Sequence, residues 1–187
     1  MRKIVQFMHV SLDGFVAGPN GEMNWINVDP EMFEYVEQRI KDTDAALYGR
    51  VTWQMMESYW PTAGKSPNAS RHDIEHSAWY SKIDKYVLSR TLKSDSSKKL
   101  HVLGSDLLNE VTELKKEPGS EILIFGSPTA THALANLGLI DEYFLLVNPV
   151  LLGKGIPAFN GQKEITKLKL QNTHTFKSGV IVLRHGR

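Results

Sequence analysis

With 187 residues, no cysteine and a formal net charge of +1, the sequence fits one globular domain spanning residues 1–187 and excludes several classes of function. The near-neutral charge gives no reason to expect nucleic acid or a membrane as partner, and no apolar run approaches the ~18–20 residues of a membrane span. Disulfide and thiolate chemistry are excluded, and the lack of cysteine fits a reducing compartment, so we predict a cytoplasmic protein.

Strands and helices alternate through the first two thirds of the chain. Short, continuously apolar runs predict strands at residues 3–10, 45–49, 85–89, 100–104 and 121–126. Asp29-Pro30 and Ser127-Pro128 each place an N-cap residue before a proline at the first helical position, and Ser105 is a third predicted N-cap. Apolar residues recur at helical spacing after each of these starts, so three helices are predicted between the strands.

The last third of the chain changes to strands without intervening helices. Residues 142–152 predict one strand, and residues 168–185 predict a hairpin with its turn at Lys177-Ser178-Gly179. The whole pattern predicts an α/β protein with a largely parallel sheet that ends in an antiparallel hairpin.

Small, hydroxylated or basic residues follow the predicted strands, where open α/β sheets bind their ligands. These segments are Ser11-Leu12-Asp13-Gly14, Gly49-Arg50-Val51-Thr52, Ser89-Arg90-Thr91 and Gly126-Ser127-Pro128-Thr129. Arginines and the free amides of helix starts favour a phosphate-bearing ligand, and Thr52 is expected to cap the turn that follows it. An ordinary polar turn or a capped helix start is the alternative interpretation of residues 49–52, 89–91 and 126–129, and both interpretations stay open there.

Two other residue patterns are candidates for a ligand site or a metal site. His72 and His76 have the i,i+4 spacing of a zinc pair, but no third ligand is evident; we expect a solvated helix face and predict no metal site. Trp25 follows the glycine-rich loop of residues 14–21 and is a candidate wall of a ligand pocket, with core packing as the alternative.

The order of these motifs resembles the dihydrofolate reductase-like superfamily. The motifs are SLDGFVAGPNGEMNW, LYGRVTWQMMESYWP, YVLSRTL, EILIFGSPTATHAL and GLIDEYFLLVNPVLLGKGIPAF, and they span nearly the whole chain. The resemblance is closer to the C-terminal reductase domain of bacterial bifunctional riboflavin-biosynthesis deaminase-reductases, and closer still to stand-alone single-domain members of that group. It implies a three-layer fold with a mostly parallel central sheet of about eight strands, a C-terminal antiparallel hairpin and helices on both faces.

The resemblance also implies NADPH as cofactor and assigns residues to it. Gly49, Arg50 and Thr52 would face the cofactor phosphates, Ser89, Arg90 and Thr91 the 2′-phosphate, and Gly126, Ser127, Pro128 and Thr129 the pyrophosphate. Val16, Ala17 and Gly18 would lie over the nicotinamide as part of a lid. Ser127 stands where folate reductases have a second glycine, and no pattern for a ribityl phosphate follows Arg50, so a flat, less charged substrate is expected.

The predicted function is an NADPH-dependent reductase acting on a C=N or C=O group of a small, flat, pterin- or pyrimidine-like substrate. Asp13, or else Asp29, would supply the proton as a carboxylic acid of raised pKa, while Ser11 and Trp25 would contact the substrate. A non-catalytic ligand-binding module is the alternative, and zinc chemistry at His72 and His76 is a third hypothesis. A homodimer is possible through the apolar stretch YFLLVNPVLLG, which is otherwise a central buried strand.

Overall fold

In the computed structural model, which describes residues 1–162 and 164–187, strands and helices alternate as the sequence predicts. The strands are β1 (Ile4–Ser11), β2 (Phe15–Ala17), β3 (Ala45–Gly49), β4 (Asp84–Leu88), β5 (Leu100–Leu103), β6 (Ile122–Phe125), β7 (Glu142–Asn148), β8 (Ile156–Pro157), β9 (Lys169–Thr175) and β10 (Ile181–Gly186). The α-helices are α1 (Pro30–Ile40), α2 (Arg50–Ala63), α3 (Arg71–Lys82), α4 (Leu107–Lys116) and α5 (Pro128–Asn136).

Eight of the described strands form one sheet in the order β5-β4-β3-β6-β1-β7-β10-β9. The pairs from β5 through to β7 are parallel, whereas β10 is antiparallel to both β7 and β9. This arrangement confirms the predicted α/β fold with a C-terminal antiparallel hairpin. Strands β2 and β8 form a separate two-stranded sheet.

Both faces of the central sheet are covered, because alternate residues of its inner strands are apolar on each side. On one face, Ile4 and Ile124 pack with the buried side chains of α4 and α5. On the other face, Val5 and Leu123 pack with the buried side chains of α1 and α3. The helices therefore form the outer layers of a three-layer structure.

The predicted helix starts are confirmed in part. The Asp29 carboxylate accepts the backbone N–H of Met32 at 2.8 Å, and Pro30 is the first residue of α1. The prediction that Ser105 caps α4 is wrong, because Asp106 is the N-cap and Ser105 Oγ donates instead to Glu110 Oε1 at 2.6 Å. Two adjacent residues were both suitable caps, and the bond to Glu110 removes Ser105 from that role.

The apolar stretch considered as a dimer interface forms β7, which pairs with β1 on one side and β10 on the other. Residues 143–148 are therefore part of a central buried strand, whereas residues 149–153 lie beyond β7 and the homodimer stays a prediction. Within the described residues, no helix combines the length and the hydropathy needed to cross a bilayer.

Candidate functional site

A cavity of about 1010 Å³ opens at the carboxyl ends of β1, β3, β4 and β6. Most residues predicted to bind the cofactor line it: Val16, Ala17, Gly49, Arg50, Thr52, Ser89, Arg90, Gly126, Ser127, Pro128 and Thr129. Gly18 and Thr91 do not line the cavity and follow directly after lining residues. The parallel sheet thus brings together segments that lie far apart in the sequence, as expected for strand ends at one edge.

The start of α5 lies against the end of β3. Gly126 and Ser127 both have left-handed backbones, with φ of +54° and +50°. The predicted capping of α5 by the Ser127 side chain is wrong, because Ser127 Oγ accepts the backbone N–H of Gly49 at 2.9 Å instead. A Cβ added at Gly49 would lie 4.0 Å from the Ala130 nitrogen. The unpaired amides of the first turn of α5 therefore lie beside the β3 end, where an anion is favoured.

Two arginines stand at the same end of the cavity. Arg50 is the first residue of α2 and donates to Gln54 Oε1 at 3.1 Å. Among the described residues, neither Arg50 nor Arg90 has a carboxylate within ion-pair distance. Thr52 does not cap the turn as predicted, because α2 begins at Arg50 with Gly49 at the N-cap position. The two guanidinium groups form the positively charged end of the cavity.

The turn that carries Arg90 is held by hydrogen bonds to the Ser89 side chain and by the close approach of Gly104. Ser89 Oγ accepts the N–H groups of Thr91 at 3.2 Å and Leu92 at 3.1 Å. Gly104, directly after β5, has a φ of +151°, and a Cβ there would lie 2.9 Å from the Ser89 carbonyl oxygen. The close approach of β5 requires glycine at this position, and it fixes the turn at the cavity edge.

The other end of the cavity is apolar. Helices α1 and α2 and strands β1 and β6 line it with Phe7, Met8, Met32, Phe33, Val36, Met55, Met56, Trp60 and Phe125. Such a surface suits a flat ring more than a phosphate. This apolar character agrees with the flat, less charged substrate expected from the residues that follow Arg50.

Three titratable side chains of α1 and α3 meet at the apolar end. Glu37 Oε1 lies 3.0 Å from His72 Nδ1 and 2.9 Å from His76 Nδ1, and both histidines line the cavity. The expectation of a solvated helix face is wrong, because His76 is only 6% exposed. Sequence spacing showed the histidine pair, but Glu37 comes from another helix and gave no signal.

The charges of this cluster follow from its surroundings. Burial raises the pKa of Glu37, but the contacts with His72 and His76 outweigh it and lower the pKa to about 2. Burial lowers the pKa of His76, against the opposing effect of Glu37. At neutral pH the carboxylate is ionised and His76 is neutral.

Asp13 ties the first loop to a distant segment. Its carboxylate accepts the Ser11 hydroxyl at 2.6 Å and the N–H groups of Leu152 at 3.1 Å and Gly153 at 2.7 Å. The Ser11 bond is the main reason that the pKa of Asp13 is lowered, which is opposite to the shift that a proton donor needs. The loop start is further fixed by the pairing of β2 with β8.

The remaining predicted site residues also lie outside the cavity lining. Asp29 is occupied as the N-cap of α1, and Trp25 Nε1 donates to the Glu22 carbonyl at 3.0 Å. Ser11 Oγ both donates to Asp13 and accepts the Phe15 N–H at 2.9 Å. None of the predicted catalytic and substrate-binding residues, Asp13, Asp29, Ser11 and Trp25, is therefore brought to the cavity wall.

His9 is a cavity residue that the sequence analysis missed. It lies near the carboxyl end of β1, and its Nδ1 is 3.3 Å from Asn148 Nδ2. Burial lowers the pKa of His9 to about 4, so it is neutral at physiological pH. The available signal was a polar residue within an otherwise buried strand that ends at the ligand edge.

Comparison with known families shows which proteins share this sequence pattern and fold. The model of the RibD C-terminal domain family matches residues 2–182. The chain belongs to that family. This RibD C-terminal domain protein is 37% identical over 185 residues to the uncharacterized protein YyaP of Bacillus subtilis (strain 168), covering 96% of this chain and 92% of YyaP.

Solved structures support the same fold. A protein from Shewanella sp. PV-4 provisionally assigned to riboflavin biosynthesis superposes on this RibD C-terminal domain with a TM-score of 0.73 at 20% identity, covering 99% and 98% of the two chains. Dihydrofolate reductase from Enterococcus faecalis, complexed with NADP(H) and RAB-propyl, gives a TM-score of 0.61 at 12% identity over 99% and 96% of the chains. The resemblance to the dihydrofolate reductase-like fold is confirmed.

Proposed function

We propose that this protein is an NADPH-dependent reductase that transfers hydride to a C=N or C=O group of a small, flat substrate of the pterin or pyrimidine type. The observation that carries the proposal is the two-ended cavity. One end has two arginines without carboxylate partners among the described residues and the amides of a helix start. The other end is apolar and aromatic.

The residues at the charged end suit a phosphorylated dinucleotide. The amides that follow Ser127-Pro128 would hold the pyrophosphate, since the α5 N-terminus carries the positive end of a helix dipole. Gly49, Arg50 and Thr52 would contact the cofactor phosphates. Ser89, Arg90 and Thr91 would bind the 2′-phosphate, which distinguishes NADPH from NADH.

The bound cofactor would supply the hydride. The protein would orient the cofactor and the substrate, exclude water from the reacting carbon and provide a path for the proton. The nicotinamide would be covered on the side of the first loop by Val16, Ala17 and Gly18. The apolar end would exclude water from the reacting carbon. Asp13 and Asp29 are engaged in structural bonds and lie outside the cavity lining, so we assign the proton to a water molecule in the cavity.

The test is a fluorescence titration of the purified protein with NADPH and, separately, with NADH. Trp60 lines the cavity and is the expected energy donor to the reduced nicotinamide. Arg50→Ala and Arg90→Ala should each weaken NADPH binding about tenfold or more, because a charge-assisted phosphate contact is lost. Arg71→Ala is the matched control, since Arg71 is exposed on α3 and already paired with Glu75.

The possible results separate the candidate functions. NADPH preferred over NADH, with turnover on a panel of heterocyclic and carbonyl substrates, is the expected result. Binding of NADPH without turnover on the panel would support the non-catalytic ligand-binding module. No saturation by either cofactor would overturn the reductase proposal.

A further inference from the structure

We propose that Glu37, His72 and His76 bind one divalent first-row transition-metal ion in the wall of the cavity. The three side chains come from two helices, α1 and α3, and their ligand atoms all lie within 4.8 Å of one another. Two imidazoles and one carboxylate are the ligands that such ions accept in proteins, and the chain has no cysteine to offer a softer site. This inference does not depend on the proposed reductase activity.

The distances match a shared metal. Around an octahedral ion, whose neighbouring ligands are about 90° apart, bonds of about 2.1 Å place the donor atoms about 3.0 Å apart; around a tetrahedral ion the separation is about 3.4 Å. Glu37 Oε1 lies 3.0 Å from His72 Nδ1 and 2.9 Å from His76 Nδ1. The two imidazole nitrogens lie within 4.8 Å of each other, and both must be within about 2.1 Å of a shared ion.

The orientation of His72 gives an independent indication. Its Nδ1 atom is buried and has no hydrogen-bond partner among the described residues, although Glu37 Oε1 is only 3.0 Å away. The contact therefore has the length of a hydrogen bond without its alignment. A ring nitrogen directed at an octahedral ion shows this geometry, because its axis then points about 45° away from the neighbouring ligand oxygen. His76 Nδ1, by contrast, forms a hydrogen bond to Glu37 Oε1 at 2.9 Å, which ion binding would replace.

Aromatic neighbours hold both imidazoles in place before an ion arrives. Phe33 stacks on His72 with ring centroids 4.0 Å apart, and Trp60 packs on His76 at the same centroid distance. Such packing limits ring rotation and lowers the entropy lost on binding. Because both histidines line the cavity, the remaining coordination positions of the ion face the cavity, as in metal sites that bind a further ligand.

The experiment uses the full chain without an affinity tag, stripped with a chelator. Calorimetric titration with Zn²⁺ should give one ion per chain, and Co²⁺ should produce a visible absorption band. Glu37→Gln and His72→Ala should each lower Zn²⁺ affinity by about tenfold or more. His101→Ala should leave it unchanged, since His101 forms an exposed pair with Asp84 of the same ligand types but without a third ligand.

Folding and function are checked on the same samples. Circular dichroism identifies a variant that has failed to fold. If His72→Ala fails to fold, His72→Asn is the milder substitution to test, because His72 is only partly buried. Absence of saturable Zn²⁺ binding by the parent chain would overturn the proposal and leave a hydrogen-bonded cluster. Binding that persists in both Glu37→Gln and His72→Ala, or that is lost in His101→Ala, would also overturn it. The NADPH titration tests the reductase proposal separately.

Discussion

Ser127 combines an unfavourable backbone with a useful side chain. Its left-handed φ of +50° costs an L-residue roughly 1–2 kcal/mol, while its hydroxyl accepts the Gly49 N–H. Ser127→Ala should lower the free energy of unfolding by about 1–2 kcal/mol, because the amide loses its partner and the strain remains. The Ser127→Gly variant should be about 1 kcal/mol more stable to unfolding than Ser127→Ala, because glycine relieves the backbone strain. Denaturant unfolding measures both.

Ser77 provides the matched control for that comparison. Its hydroxyl accepts the Gly64 N–H at the same distance of 2.9 Å, but Ser77 lies inside α3 with an ordinary helical backbone. There the order should reverse, with Ser77→Gly less stable than Ser77→Ala, since glycine weakens a helix interior. The same order at both positions would contradict the account of strain at Ser127.

His9 should make the folded state sensitive to acid. Burial lowers its pKa to about 4 in the folded chain, whereas it is 6.5 for an unperturbed histidine. Between these two values the unfolded chain binds a proton that the folded chain does not, so the free energy of unfolding falls as the pH falls. The loss should amount to roughly 2–3 kcal/mol by pH 4 and should be absent above pH 7.

The His9→Gln variant isolates this contribution. Unfolding free energies of both chains are measured from pH 7.5 to pH 4, and their difference removes the titration of the carboxylates. The difference should change through the window between pH 6.5 and pH 4. Parallel curves for the two chains would mean that His9 keeps an ordinary pKa.

At the scale of elements, Asp13 joins the β1–β2 turn to the segment before β8. Asp13→Ala should speed amide hydrogen exchange at Leu152 and Gly153 by roughly 5- to 10-fold, because both N–H groups lose their acceptor. Exchange in the body of β1 should stay unchanged. A proton donor would behave differently: Asp13→Asn would abolish turnover and leave the exchange pattern intact.

Helices and strands were predictable where neighbouring residues alone determine them. Contacts between residues far apart in the sequence were not predictable. Residues 45–49 were predicted as the strand that is observed as β3, because a short apolar run between polar residues needs no distant information. The Asp29-Pro30 helix start is equally local. By contrast, two of the three partners of Asp13 named above are the backbone N–H groups of Leu152 and Gly153, more than a hundred residues away.

The candidate site divides in the same way. The strand-end loops of the site were predictable, because parallel strands have their carboxyl ends at one edge of the sheet. Knowing where the strands end in the sequence is enough to locate that edge. The meeting of Glu37 with His72 and His76 depends on how α1 packs against α3, so no spacing within one helix revealed it. Ser105 and Asp106 are both suitable N-caps of α4, and the hydrogen bond from Ser105 to Glu110 leaves Asp106 as the cap.

At the scale of the whole molecule, cofactor binding should stabilise the fold. NADPH at a concentration about 100 times its Kd should add roughly 2.7 kcal/mol of stability, since it binds the folded state alone. For a chain of 187 residues this corresponds to a rise in Tm of roughly 5–10 °C. Differential scanning fluorimetry measures it, with NADH and the Arg90→Ala variant as comparisons. Equal shifts for NADPH and NADH would contradict the assignment of the 2′-phosphate to the Arg90 turn.

The position of β1 in the centre of the sheet has a consequence for the growing chain on the ribosome. Its partners are β6 and β7, with Ile4 paired to Ile122 and Val5 to Glu142. At about 5–20 residues per second, the first strand made waits roughly 6 to 25 s before β6 has been synthesised. During that time the apolar run of residues 4–10 has no strand to pair with. The nascent protein therefore passes through a period in which a strand that is almost entirely buried in the folded protein is accessible to chaperones.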